Sequence, residues 1–239
     1  MTYRKIGLIG AMVEEIALFK EHMSDLAESS NAGISFVEGL FEGKRIVLCK
    51  SGVGKVNAAV TTQLLIDKYE VDTVLFTGVA GALDPELSIG DIVVSTECMQ
   101  HDMDVTALGF PRGTIPFQMS SLFGAAPDLI ERAAASARKL FDGQTKLGRV
   151  LSGDQFIADR QAVKSLHEEL GGSCTEMEGA AVAQVCAMNG IPYVVIRSMS
   201  DKADGSAHMN FAEFTLLASE HSYRLVADMI KGMSFSDTD

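Results

Sequence analysis

The runs at 5–9, 45–49, 73–77, 92–96 and 193–198 are rich in β-branched and apolar residues, and several carry no polar residue at alternate positions. A strand that is apolar on both faces can leave neither to water, so these runs belong to a sheet covered by helices on both sides. Between them, apolar residues recur at helical spacing over 14–23, 55–69, 127–141, 160–170, 178–189 and 211–231. Pro127 suits a first helical turn, where its missing N–H would have no partner anyway, and Asn210 with Glu213 has the spacing of a capping box. Strands alternating with helices predict a layered α/β domain.

With 239 residues, 47% of them hydrophobic, the chain can build one sizeable core, and no linker divides it. Residues 1–233 read as one domain and the polar end, 234–239, as a frayed tail. A net charge of −12 opposes a polyphosphate backbone, which excludes nucleic acid as a partner. The apolar runs fall far short of the roughly 20 residues that cross a bilayer, and the N-terminus lacks a secretory signal pattern. The expectation is a soluble, cytoplasmic protein without a membrane partner. Cys49, Cys98, Cys174 and Cys186 are widely spaced, with no Cys-x-x-Cys pair, and read as buried reduced thiols. His101-Asp102-Met103-Asp104 is the one cluster that suggests a metal, but adjacent ligands without distant partners rarely close a coordination shell. It reads as a loop or interface cluster, and no metal or cofactor is expected.

Two carboxylates stand in apolar surroundings. Glu178 opens an alanine-rich helix whose packed stripe is Met177, Ala180, Ala181, Gln184, Val185 and Met188, and Asp201 ends the apolar strand that begins at Tyr193. An ionised acid so placed loses hydration unless it is paired, which points to a ligand, a partner or a shifted pKa. The plainer reading of Glu178 is an acid favoured by the helix dipole, and Asp201 could cap the turn through Asp204. Glycine turns punctuate the strand ends at Gly7-Leu8-Ile9-Gly10, Ser51-Gly52-Val53-Gly54-Lys55 and Gly78-Val79-Ala80-Gly81. None has the spacing of a nucleoside triphosphate or dinucleotide loop, and Glu14 and Glu15 at the first turn would repel a phosphate.

Taken in order, Ile9-Gly10-Ala11-Met12 with Glu15, Ser51-Gly52-Val53-Gly54-Lys55-Val56-Asn57-Ala58, Thr77-Gly78-Val79-Ala80-Gly81, Ser152-Gly153-Asp154-Gln155-Phe156-Ile157, Glu176-Met177-Glu178-Gly179-Ala180 and Arg197-Ser198-Met199-Ser200-Asp201 resemble the methylthioadenosine/S-adenosylhomocysteine nucleosidase family. The resemblance runs from about residue 5 to residue 230. It implies a nucleoside phosphorylase-like fold of three αβα layers, with a central mixed sheet flanked by helices, and a homodimer in which a partner loop closes each site. It further implies that Glu15 activates a water, that Glu178 and Met177 hold a ribose, and that Asp201 delivers a proton toward purine N7. Phe156 would stack on the base, Ile157 would read its edge through the backbone, and Arg197 would steady the carboxylates, with Glu176 and Ser200 in the same motifs. Met12 would lie beside the ribose and Phe211 near its 5′ substituent, while Leu108 and Pro116 would reach the neighbouring subunit's site. Val79 stands where the family commonly has serine, and Leu108 where it commonly has an aromatic. The stretch from His101 to Pro116 is also similar to members that process 6-amino-6-deoxyfutalosine.

Cleaving a ribose–purine bond develops positive charge on the sugar and negative charge on the base, so anionic groups by the ribose and an acid by N7 oppose both changes. Two readings stay beside hydrolysis. A phosphorylase would use phosphate as nucleophile and needs a cationic pocket, and a purine-binding module would need no water activator.

Overall fold

The computed structural model of the chain describes residues 2–141, 143–203 and 207–235, apart from the side chains of 207–210 and 212. In chain order the elements are β1 (Ile6–Gly10), α1 (Val13–Glu21), β2 (Ser24–Asn31), β3 (Ile34–Phe41), β4 (Lys44–Lys50), α2 (Lys55–Asp67), β5 (Thr73–Ala82), β6 (Ile92–Gln100), a 3₁₀ turn (Thr106–Leu108), β7 (Phe123–Gly124), α3 (Pro127–Leu140), β8 (Thr145–Ser152), α4 (Arg160–Leu170), β9 (Gly172–Glu176), α5 (Gly179–Asn189), β10 (Tyr193–Asp201) and α6 (Ala207–Lys231).

The strands form one mixed sheet in the order β10-β6-β8-β9-β5-β1-β4-β3-β2, with β7 beside β6. Because β10 also pairs with β5, the path from β10 through β6, β8 and β9 to β5 closes on itself. β1, β5 and β10 run parallel and are buried along their whole length, as apolar runs without alternation require. Helices α3 and α6 pack together, as do α2 and α5 and α1 and α6, so the sheet is flanked by helices. All four cysteines are free and buried. No described helix is long and apolar enough to cross a membrane.

Several elements differ from the sequence reading. β2 and β3 are absent from it, because β2 is exposed along nearly its whole length and carries no apolar pattern. Their pairing is set by tight turns instead: Ala32 and Gly33 have φ of 50° and 76°, and Glu42 and Gly43, which join β3 to β4, have φ of 49° and 71°. Two successive positive φ values match the right-handed twist of a hairpin. β9, Gly-Ser-Cys-Thr-Glu, reads as polar yet is wholly buried. The Gly78–Gly81 stretch is not a turn at a strand end, since β5 continues through it to Ala82.

In α5 the buried residues are Gly179, Ala180, Ala181, Val182, Ala183 and Cys186, while Met188 is 73% exposed. Ala180 and Ala181 of the expected stripe are thus buried, but alanine suits either side of a helix, and the stripe does not extend to Met188. Glu178 is the residue before the first turn of this helix rather than part of it. The last helix is already running at Ala207, so Asn210 does not start it, and the Asn210 side chain and Asp204 lie outside the described residues. At the C-terminus, Ser234 O accepts from Tyr3 N at 3.0 Å and Phe235 forms a bridge with Tyr3, so the tail expected from 234 is tied down there; residues 236–239 lie outside the described residues.

Candidate active site

The C-terminal ends of β1, β5 and β10 and the segments after β8 and β9 enclose a cleft of about 330 Å³. Glu15, Glu176, Glu178 and Asp201 all line it and are each under 9% exposed. Among the described residues of its lining there is no lysine or arginine.

Glu15 sits in the first turn of α1, and its side chain folds back over the helix start. Oε2 accepts from Ala11 N at 2.6 Å and Met12 N at 2.9 Å, and Oε1 accepts from Val79 N at 2.9 Å. The serine common at position 79 in the family is not needed for this last bond, which uses the backbone. Burial nevertheless outweighs Arg197 and these three N–H groups, and the Glu15 pKa lies above its ordinary value. A carboxylate whose pKa is raised is a stronger base than an exposed one, which suits it to taking a proton from water.

Arg197 is the hub beneath the cleft. It is fully buried, donates through Nη2 to Glu176, and has Nη1 3.9 Å from Glu15 Oε1 and Nη2 3.8 Å from Glu178 Oε2. Its guanidinium lies 4.0 Å from the centre of the Phe76 ring. A Cβ on Gly78 would run into Arg197 Nη1 and Glu15 Oε1, so the strand comes this near to the ion pair only because that residue lacks a side chain. Glu176 also accepts from Ser152 Oγ, from Gly179 N and, at 3.1 Å, from Glu178 N. It therefore pins the β9–α5 turn. Glu178 Oε1 accepts from Gly54 N at 2.8 Å.

Burial, and after it the charge of Glu176, pushes the Glu178 carboxyl up to about 8. Unfolded, the group returns to about 4.3, so at intermediate pH the folded chain holds a proton that the unfolded chain releases. The stability contributed by that proton is complete below the unfolded value and is lost as pH rises through about 8. In denaturant titrations of the unliganded protein, Glu178→Gln is expected to lose less unfolding free energy than wild type between about pH 5 and 8. Identical slopes would contradict the assignment.

Asp201 is 2% exposed and ends β10 beyond a register shift between Met199 and Asp201. Such a bulge re-aims side chains, and here Ser200 and Asp201 both reach the cleft. Asp201 Oδ2 accepts from Ser200 Oγ at 2.9 Å and Oδ1 from Ala203 N at 2.7 Å. A Cβ on Gly81 would stand 2.8 Å from Oδ1. Opposing apolar walls come from Phe156 and Phe211, whose rings meet edge to face at 5.8 Å, together with Met12, Val79, Ile157 and Met177.

Thus Met12, Glu15, Val79, Phe156, Ile157, Glu176, Met177, Glu178, Ser200, Asp201 and Phe211 converge on one cleft, with Arg197 directly behind it. Leu108 and Pro116 do not reach it; Leu108 is 72% exposed and Pro116 half-buried on the loop between β6 and β7. Sequence reasoning missed Ala11, Val53, Ala80, Gly81, Gln155 and Thr175, which also line the cleft, and Ser152 beneath it. Each neighbours or lies within a motif already singled out, but small side chains give no chemical signal.

The chain matches the phosphorylase superfamily over residues 5–231. It is 45% identical over 230 residues to a 5′-methylthioadenosine/S-adenosylhomocysteine nucleosidase of Marinomonas sp. (strain MWYL1), covering 95% of this chain and 98% of that relative. The structure of a nucleosidase of that name from Neisseria meningitidis, in complex with methylthio-immucillin-A, superposes with a TM-score of 0.92 at 39% identity, covering 96% of this chain and all of that one. The native futalosine hydrolase of Helicobacter pylori strain 26695 also superposes with a TM-score of 0.92, at 35% identity over 97% of this chain and 99% of its own. With a match of this extent in sequence and in fold, the chain belongs to the 5′-methylthioadenosine/S-adenosylhomocysteine nucleosidase family of the phosphorylase superfamily.

Proposed function

We propose that the protein hydrolyses the N-glycosidic bond of 5′-methylthioadenosine, S-adenosylhomocysteine and related adenosine nucleosides, releasing adenine and the 5′-substituted ribose. The observation that carries this reading is the convergence of Glu15, Glu178 and Asp201 on one cleft whose described lining has no cationic side chain. Glu15 orients a water and takes its proton as the water oxygen bonds to C1′. The C1′–N9 bond breaks, its electron pair goes to the purine, and Asp201 supplies a proton at N7. Glu178 and Met177 hold the ribose hydroxyls, with Met12 beside the sugar, Phe211 near its 5′ end, and Phe156 and the Ile157 backbone on the base. Separate acid and base groups are required because one carboxyl cannot serve both ends of the bond at once.

Phosphorolysis is disfavoured by the same electrostatics. A phosphate dianion in the cleft would meet Glu15 at the first turn, and Lys55, the one cation of the glycine turns, has its Nζ engaged by Gln100 and Asp102. Adenine release from methylthioadenosine is expected to proceed in phosphate-free buffer at the rate seen with phosphate. Activity that vanished there and returned on adding phosphate would overturn hydrolysis, and binding without release would favour a sensor.

Hydrolysis of 6-amino-6-deoxyfutalosine is a second reading, favoured by the likeness to the Helicobacter pylori futalosine hydrolase. Specificity constants for methylthioadenosine, S-adenosylhomocysteine, 5′-deoxyadenosine and aminodeoxyfutalosine decide the ranking. The active form is proposed to be a cytoplasmic homodimer in which Leu108 and Pro116 reach the partner's cleft. Support comes from the exposed apolar side chains of Leu108, Phe117 and Met119 on one loop and of Val56 and Met188 on the packed pair α2 and α5. An active monomer in sedimentation at assay concentration would refute it.

A further inference from the structure

The His101–Asp104 cluster, which the chemistry above leaves unused, sits where three loops meet. Asp102 Oδ1 accepts from Lys55 Nζ at 2.7 Å, and its Oδ2 accepts from Asp154 N at 3.0 Å. Asp154 Oδ1 in turn accepts from Lys55 N at 2.8 Å. Three residues from the segments after β4, β6 and β8 thus form a closed ring of hydrogen bonds. Both ends of the ring lead to the cleft. One residue before Lys55, Gly54 N holds Glu178 at 2.8 Å, and Val53 lines the cavity. Just after Asp154 come Gln155, Phe156 and Ile157, all lining residues.

The approach of these loops depends on missing side chains. Gly54 has φ of 100°, and a Cβ there would stand 3.2 Å from Asp154 Oδ1. A Cβ on Gly153 would stand 2.5 Å from His101 Nε2 and 3.1 Å from Asp102 Cγ. Lys55 and Asp102 are only 18% and 16% exposed, so solvent competes weakly for their bond. Burial opposes the Asp102 charge, but the bonds from Lys55 and Asp154 outweigh it and hold the carboxyl below its ordinary pKa. Gln100 extends the ring: its Oε1 accepts from Lys55 Nζ at 3.0 Å, and its Nε2 donates to Gln184 of α5 at 2.6 Å.

We propose that Asp102, with Lys55 as its counter-ion, is a positioning residue that clamps the Phe156–Ile157 wall of the cleft to the turn that holds Glu178. This rests on the nucleosidase reading of the cleft and deepens it. The clamp acts on substrate placement rather than on bond cleavage, since none of its side chains touches the proposed reacting groups except through Gly54 N.

The test compares Lys55→Met, Asp102→Asn, the double variant and Lys55→Arg. Each of the first two is expected to raise KM for methylthioadenosine and Kd for free adenine about tenfold, the scale of one charged hydrogen bond, with kcat changed less than about threefold. The double variant is expected to show about the same tenfold loss instead of a hundredfold one, because the two residues act as one unit. Lys55→Arg, which keeps the charge and donors, is expected to restore KM to within about threefold of wild type. Independently of substrate, backbone amides of 153–157 are expected to exchange faster in Asp102→Asn. Unchanged KM and exchange in the single variants, or losses that multiply in the double, would overturn the clamp. Wild-type protein that released no adenine would overturn the nucleosidase reading instead, and the amide exchange would still decide the clamp.

Discussion

Asp201→Asn is expected to lower kcat on methylthioadenosine by about 10²–10⁴-fold while KM stays within a few fold of wild type. Asparagine has the same shape as aspartate, and it can keep an oxygen toward either Ala203 N or Ser200 Oγ, the two bonds that fix this side chain after the β10 bulge. What it lacks is a proton to transfer. The leaving purine must then depart as an anion, and the chain places no second acid beside Asp201 among the described lining residues other than the glutamates assigned to water and ribose. Steady-state kinetics check the split. A kcat within tenfold of wild type would remove Asp201 from the proton-delivery step.

Arg197→Met is expected to give the largest loss of stability, about 3–5 kcal/mol, because it leaves buried carboxylates without their counter-ion. Glu15, Glu176 and Glu178 are each within 4.0 Å of that guanidinium and all are buried. Methionine fills part of the volume and keeps an apolar contact with Phe76, so a cavity is not the main cause. The electrostatic origin gives the loss a sign in pH. Without Arg197, the Glu15 and Glu178 carboxyls are pushed up further, so the deficit should be largest near pH 8 and shrink toward pH 5 as these acids take up protons. Denaturant unfolding at both pH values measures it. A deficit equal at both would mean that lost packing, and not uncompensated charge, is responsible.

The same residues explain what the sequence makes legible. Glu178 and Asp201 stand out because charge among apolar residues needs a reason, Glu15 and Arg197 are picked out through the family resemblance, and all four meet at the cleft or directly behind it. The helices are legible from spacing, and the central strands from unbroken apolar runs buried on both faces. Edge strand β2 is not, because its exposed residues carry no period, and β3, between β4 and β2, buries Phe36, Val37 and Phe41 without regular alternation; the turns at Ala32–Gly33 and Glu42–Gly43 fix their register. Nor is the lining of Ala11, Ala80, Gly81 and Thr175, whose contribution is space and backbone. The Lys55–Asp102–Asp154 ring joins segments far apart in the chain, and only the folded loops bring its members together. In α5, a run of small residues hides which side is packed, and the expected stripe holds at Ala180 and Ala181 but not at Met188 for that reason.

Hydrolysis on a phosphorylase scaffold is the central claim, and the identity of the sugar product tests it most directly. Methylthioadenosine is incubated with the protein in phosphate buffer and the products are weighed by mass spectrometry. Free 5-methylthioribose with adenine is the expected result; 5-methylthioribose 1-phosphate would show that phosphate, and not water held by Glu15, attacks C1′.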